Sequence, residues 1–563
     1  MEEPPARYRR LRKASDLSVL QPQISATFRK ASDRTDAWPP CKRMRRDKTC
    51  TSYEDRISRL PDGILIMILD KLDTRTTMTT IILSKRWCNL PRCLTTCYDL
   101  AVNDMLPPRY HRLKRLNMEA KAGYEAEKNM EKLTCIYAIK ARYEQWMSKI
   151  RPLTAILERY ERRAMRRYVK QVNAFLQAPK DVCQRRPVQK LRLQTVGKIR
   201  DDLVDQWITA AIAKWGVEDF ELVIDGDCLS YDLKQLDGYQ NVRLKQLVLS
   251  NCHPVYAWNC LTMQRLTKLS LGEGSYMGLV NDILRNCVQL RDFRVTSSRY
   301  YRAAFPINVP TSKIRNLQVD RCSFGKIYLI SLPCLETFYC HGSPTKLYYG
   351  DVPLLRQVSL DYSQTEDNGR DDESGIIRTY PLSKFFRRMP PLECLVLQFK
   401  GPQMWIEPLA VPGPFSHLKK LFIANVMVNW DALWILLLLD AAPALESFRV
   451  HFDKNSVVGS GIVVFPGLGV DEQQQHQYRR LKELLVAGFD GVGWQTGFVK
   501  MIMKKSPLLR RIHLLDGQVM DDGQELGGLQ IIPRRREWHE CERAEVLEDL
   551  TAGIRWPPEI ILE

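Results

Sequence analysis

The chain spells one apolar core, L-x-x-L-x-L or a near variant, eleven times between Leu244 and Leu514. The series runs "LKQLVL" from Leu244, "LTKLSL" from Leu266, "LRDFRV" from Leu290, "IRNLQV" from Ile314, "LETFYC" from Leu335 and "LRQVSL" from Leu355. It continues with "LECLVL" from Leu392, "LKKLFI" from Leu418, "LESFRV" from Leu445, "LKELLV" from Leu481 and "LRRIHL" from Leu509. Most steps are 20 to 28 residues. Alternation over so few residues makes a strand too short to stand alone. Stacked copies, however, bury one another's leucines and turn the alternate residues to the opposite face.

That period is the leucine-rich-repeat period. The fold expected is an α/β solenoid, with a leucine-rich-repeat horseshoe over 190–477 and terminal repeats with a C-terminal tail over 478–563. "LRLQTV" near Leu191 and "FELVID" near Phe220 read as degenerate leading units. Two steps are longer. "DYSQTEDNGRDDESG" after Leu360 and "DKNSVVGSGIVVFPGLGVDEQQQHQ" after Phe452 read as surface excursions. No Gly-Lys-Ser/Thr follows their glycines, nor those of "LGEGSYMG" after Leu271, so none is a phosphate cradle.

Upstream of the repeats the composition changes twice. Residues 1–52 are polar and basic, read as a disordered tail in which Lys42, Arg43, Arg45 and Arg46 form a candidate nuclear-localisation run. Residues 99–189 read as a helical linker, poor in Gly and Pro from Tyr110 on. There Leu153, Ile156, Leu157, Tyr160 and Ala164 recur at helical spacing, predicting one buried face. "ERRAMRRYVK" sets a crowd of cations on the opposite side. No aromatic or glycine-rich pattern is interleaved to read bases, so a solvated face is the expectation and nucleic acid is not the expected partner.

Net charge is +19 over 563 residues, which speaks to association rather than fold. "MEEPPARYRRLRK" carries charges where a signal peptide needs an apolar stretch. The longest aliphatic run, "ALWILLLL" from Ala432, stops at Asp440, short of the ~20 residues that span a bilayer, so no membrane association is expected. Sixteen cysteines with no C-x-x-C pair suit a reducing compartment. "CNLPRCLTTC" (Cys88, Cys93, Cys97) lacks metal-site spacing and a nearby histidine. No H-E-x-x-H or G-x-S-x-G occurs, and His539 near Cys541 is not read as a catalytic dyad. No catalytic residue, metal or cofactor is expected.

Residues 53–98 hold the stretch "DRISRLPDGILIMILDKLDTRTTMTTIILSKRWCNLP". Ser58 is placed to cap a helix with Pro61 and Asp62 in its first turn, and Ile64, Leu65, Ile68, Leu69 and Leu72 follow at helical spacing. A second helix would hold Ile81, Ile82, Leu83 and Trp87. So short a segment cannot bury both patches in a core of its own, and such surface marks an interaction site. The stretch resembles the plant-type F-box, whose motif begins D-R-I-S-x-L-P-D and ends L-S-K-R-W. Asp55 to Ser58, Leu60 to Asp62, Ile64, Leu65, Ile68, Leu69 and Leu72 match it, as do Leu83 to Trp87 and Leu90. It departs from the motif at "TTMTT" (Thr76 to Thr80) and at Pro91. Tyr478 to Gly517 is similar to the FBD-type segment that closes many plant F-box/leucine-rich-repeat proteins, through Leu481, Leu484, Gly488, Phe489, Pro507, Leu508 and Ile512.

The resemblance implies a small trihelical F-box and a non-catalytic subunit of an SCF-type cullin–RING ubiquitin ligase. The F-box would dock on an SKP-family adaptor, and the repeats would hold a protein substrate. Leu60, Pro61, Ile64, Ile68, Leu72, Leu83 and Trp87 are the adaptor-binding candidates. On the face between the leucines, Tyr339, His341, Phe422, Arg449 and His451 are the substrate-binding candidates. The alternative is a nucleic-acid-associated or scaffolding repeat protein that assembles no ligase. Residence in the nucleus, the cytoplasm or both is expected.

Overall fold

The computed structural model describes residues 60–69, 71–72, 97–130, 136–177, 188–196, 199–225, 231–233, 243–254, 261–272, 278–296, 303–343, 345–363, 378–381, 389–400, 404–407, 415–427, 433–453, 477–521, 529–534, 538–555 and 557–563. Met1–Pro61 and Asp62–Glu563 are separate units, and the features below belong to the second unless stated.

Three strands open the main sheet: β1 (Cys97–Ala101), β2 (Lys190–Val196) and β3 (Asp219–Asp225). The eleven repeat cores then form β5 (Gln246–Ser250), β7 (Lys268–Gly272), β8 (Asp292–Thr296), β10 (Asn316–Cys322), β12 (Thr337–Gly342) and β14 (Gln357–Ser363). They continue as β16 (Cys394–Lys400), β18 (Lys420–Met427), β19 (Ser447–Asp453), β20 (Glu483–Ala487) and β21 (Arg511–Leu515). Strand β24 (Glu559–Leu562) closes a sheet of fifteen strands, ordered as in the chain and parallel at every step. In each core the leucines point to one side. Leu247, Leu269, Phe293, Leu317, Phe338, Val358 and Leu395 are aligned partners and almost fully buried.

The return segments build a second layer on that side. It comprises the parallel strands β9 (Ala304–Asn308), β11 (Lys326–Ser331) and β13 (Lys346–Asp351), and the pairs β4 (Tyr231–Leu233) with β6 (Cys252–Pro254) and β15 (Arg378–Pro381) with β17 (Met404–Glu407). Six helices complete the described return segments: α4 (Asp201–Thr209), α5 (Leu261–Gln264), α6 (Val280–Asn286), α7 (Leu433–Asp440), α8 (Gly493–Lys505) and α9 (Glu540–Thr551). Trp207, Ile283, Phe305, Leu329, Ile435 and Val499 from this layer share one hydrophobic cluster with the strand leucines. The aliphatic run at Leu433–Asp440 is therefore a buried helix of the solenoid. Among the described residues no helix is long and apolar enough to cross a membrane.

Three helices precede the repeats: α1 (Asp62–Leu69), α2 (Pro108–Met130) and α3 (Ile136–Gln177). The last two pair antiparallel. Tyr110 Oη donates to Glu161 Oε1 at 2.6 Å, and Thr154 Oγ1 to Asn117 Oδ1 at 3.4 Å. Helix α3 docks on the first strands: Tyr168 Oη donates to the Leu100 carbonyl at 2.7 Å, and Phe175 stacks on Trp215 with centroids 5.3 Å apart. Of the predicted face Leu157 and Ala164 lie in the core, Leu153 and Tyr160 are half-buried and Ile156 is 40% exposed, while Tyr168, outside that spacing, is buried. The sheet also starts earlier than 190. Strand β1 carries no leucine core, and it joins because Tyr98 and Leu100 alternate onto α3 and β2.

Candidate functional site

Two surfaces bear on function. The first is α1. Leu65 and Leu69, four residues apart on one side, are buried, whereas Ile64, Met67, Ile68 and Leu72 are 45%, 68%, 40% and 37% exposed. A helix this apolar all round is stable in water only if its second side finds a partner. Leu60 is half-buried and Pro61 exposed, both in the first unit. Leu83, Trp87, the departures at Thr76 to Thr80 and Pro91, and the basic run at Lys42, Arg43, Arg45 and Arg46 lie outside the described residues.

The second surface is the sheet face opposite the leucines, where register aligns side chains in rows across the strands. One row carries Asp99, Arg192 and Glu221 on β1, β2 and β3: Arg192 Nη1 lies 3.2 Å from Asp99 Oδ2, and Arg192 Nε lies 2.9 Å from Glu221 Oε1. A second carries Asp292, Asn316 and Thr337. Thr337 Oγ1 donates to Asn316 Oδ1 at 2.6 Å and Asn316 Nδ2 to Asp292 Oδ1 at 2.5 Å.

The third row is the longest of the three. Asp320, His341, Asp361 and Gln398 are register partners on β10, β12, β14 and β16. His341 Nδ1 lies 2.6 Å from Asp320 Oδ1, and its Nε2 lies 3.8 Å from Asp361 Oδ2. Arg294 Nη2 donates to Asp320 Oδ2 at 2.7 Å. Burial pushes the Asp320 carboxyl upward, but the hydrogen bonds from His341 and Arg294 outweigh it and hold the group at about 2. Asp320 is therefore a carboxylate at neutral pH, and His341 Nδ1 carries the shared proton. The cluster fixes charge across four adjacent strands.

The substrate-binding candidates separate on this face. Arg449 is exposed and His341 half-buried. Tyr339, Phe422 and His451 share the face but are only 3%, 8% and 4% exposed, contrary to the expectation that residues between the leucines meet solvent. His451 Nδ1 accepts the backbone N–H of Asn425, a residue at φ 59°, at 3.2 Å and so supports the chain there. Phe422 has a different cover. An antiparallel hairpin, β22 (Gly517–Asp521) with β23 (Leu529–Pro533), packs Val519, Leu529 and Ile531 onto Val396, Phe422 and Ala424. The repeat pattern does not predict this hairpin. Its signal was present in "GQVMDDGQELGGLQIIP", two short β-prone runs around a glycine-rich turn.

The FBD-like residues fall in the last repeats. Leu481, Leu484, Phe489 and Ile512 are core, and Leu508 is exposed. Gly488 sits at φ 71°, where a Cβ would meet the Phe452 carbonyl oxygen, so the turn requires glycine.

A parallel strand at every repeat, leucines on one side and a polar face on the other, defines a leucine-rich-repeat protein, here with an F-box helix ahead of it. The model for the leucine-rich-repeat domain described as At1g61320/AtMIF1 matches residues 185–524, more than half of the chain, and the chain belongs to that family. The F-box domain model matches residues 57–93. The F-box/FBD/LRR-repeat protein At5g56420 of Arabidopsis thaliana is 43% identical over 60 residues, which cover 10% of this chain and 14% of that relative.

Proposed function

We propose that the chain is the substrate-recognition subunit of an SCF-type cullin–RING ubiquitin ligase, with α1 docking on an SKP-family adaptor and the open sheet face holding a protein substrate. The observation that carries this reading is the pairing of an F-box match at 57–93 with an α1 whose Ile64, Met67 and Ile68 are exposed beside buried Leu65 and Leu69. Apolar anchors near the centre of an interface carry most of its binding energy. In this role the chain does no chemistry of its own. It contributes proximity, holding a target where a separate conjugating enzyme can act.

For substrate, the hairpin over Phe422 leaves Arg294, His341 and the rows N-terminal to β16 as the favoured ground, with Arg449 beyond the hairpin. The run Lys42, Arg43, Arg45 and Arg46 is proposed as the nuclear address. The test is co-expression of the full chain with an SKP-family adaptor and a cullin, wild type against Ile64→Asp with Ile68→Asp. Capture of both partners by the wild type and neither by the variant supports the reading. Failure of the wild type to capture the adaptor overturns it, and leaves a scaffolding repeat protein.

A further inference from the structure

From Arg159 to Lys170 helix α3 carries its cations in a single stripe. Taking 100° per residue from Arg159, the side chains of Arg162, Arg163, Arg166, Arg167 and Lys170 fall within an arc of roughly 140°, and all six are exposed. The opposite side carries Leu157, Ala164, Tyr168 and Val172, all buried. The hydrogen bond from Tyr168 Oη to the Leu100 carbonyl anchors that side to the sheet, so the stripe is held outward. From Arg159 to Lys170 it extends roughly 17 Å along the axis.

Little on the helix neutralises it. One weak ion pair, Arg162 to Glu158 at 3.8 Å, is present among the described residues, with both side chains mostly exposed. The pairs Arg159/Arg163, Arg162/Arg166, Arg163/Arg167 and Arg166/Lys170 stand at i,i+4, where like charges destabilise a helix. A row of unrelieved cations on an anchored helix is complementary to a polyanion of comparable length. Five of the six are arginines, whose planar forks match phosphate oxygens.

We infer that this stripe is a docking surface for the phosphodiester backbone of a double-stranded nucleic acid. A duplex carries one charge per ~1.7 Å of axis, about ten over the length of the stripe. The contact proposed is to phosphates, which fix position and carry no sequence information directly. A membrane surface fits less well: beside the stripe the apolar side of α3 (Leu157, Ala164, Tyr168 and Val172) is buried, and Tyr143 and Ile156 are the exposed large apolar side chains among the helix's described residues, too few to insert. The inference is independent of ligase assembly.

The test uses the full chain and fluorescence anisotropy against a labelled 20-base-pair DNA duplex and its RNA counterpart across a salt titration. With four to six phosphates engaged, log K is expected to fall against log salt with a slope of about −4 to −5. Arg163→Glu, Arg166→Glu and Lys170→Glu together should weaken binding at least tenfold and flatten the slope by about 2 to 3, with unchanged circular dichroism. A charge-reversal control elsewhere on the molecule, Lys326→Glu with Lys346→Glu on β11 and β13, should bind as wild type. Equal binding of DNA and RNA identifies the shared backbone, and preference for one names the source. The inference is overturned by absence of duplex binding at low salt, or by binding only to phosphatidylserine vesicles or a polyglutamate peptide. It is equally overturned if binding survives the helix changes and is lost when Lys42, Arg43, Arg45 and Arg46 are each changed to Glu.

Discussion

Asp320 and His341, register partners on β10 and β12, meet with Oδ1 and Nδ1 2.6 Å apart, while Arg294 takes the other carboxylate oxygen at 2.7 Å. Because the carboxyl is held at about 2 against an ordinary 3.8, the unfolded chain binds the extra proton between those values. Stability from this group is then complete above about pH 4 and lost as pH falls toward 2, a span of roughly 2 kcal/mol. Denaturant titrations from pH 7 to pH 2 should show Asp320→Asn well below wild type at neutral pH, with the gap closing below pH 4. A constant gap would place the stabilisation elsewhere.

Phe422 reports on the hairpin. Changing Val519 and Ile531 each to Asp puts charge against Phe422 and should lift β22–β23 from the face. Protection from hydrogen exchange should then fall over Lys420–Met427 and stay unchanged over Lys268–Gly272, at a global cost of about 1–3 kcal/mol. Unchanged exchange in both segments would mean that the hairpin does not shield this strand.

Gly488 and Gly491 both adopt positive φ, at 71° and 75°, but their surroundings differ. A Cβ at Gly488 meets the Phe452 backbone, which cannot yield, whereas at Gly491 it meets side chains of Val546 and Trp538. Gly488→Ala should therefore cost at least ~3 kcal/mol, and Gly491→Ala about 1–2. Equal losses in thermal unfolding would refute the steric ranking.

Helix α1 offers a division between binding and folding. Ile64→Asp with Ile68→Asp alters exposed positions and should reduce adaptor affinity by at least thirtyfold, roughly 2 kcal/mol, without moving Tm. Leu65→Asp places a charge at a fully buried site and should lower Tm as well. Isothermal titration beside differential scanning calorimetry separates the two; a Tm drop in the first variant would make Ile64 and Ile68 core residues instead.

Tyr168 ties α3 to β1. Tyr168→Phe keeps the ring against Trp207, centroids 5.9 Å apart, but leaves the Leu100 carbonyl without that donor. A loss of about 1–2 kcal/mol is expected in urea unfolding; a neutral effect would mean that ring packing alone anchors the helix.

Much of this was legible in the chain. All eleven repeat cores form strands of one sheet, because burial every second residue, renewed at a regular period, admits few other arrangements. The F-box stretch was equally plain, since its apolar density exceeds what so short a segment can bury alone. Strand β1 was not. Its five residues carry no leucine core, and it pairs through contacts with Arg192 and Phe175, far along the chain. The hairpin over Phe422 was missed for the same reason: alternation says which side of a strand a residue takes, not what later folds across it.

Sequence by itself determined the parallel solenoid, the core leucines, the F-box helix and the cationic residues of α3, all consequences of local period and composition. Only the tertiary structure decided that Tyr339, Phe422 and His451 are buried, and that Asp320, His341 and Arg294 form one charged cluster. Those outcomes depend on which distant segments meet, and the free energy of such meetings is written in pairs of residues that no local pattern joins.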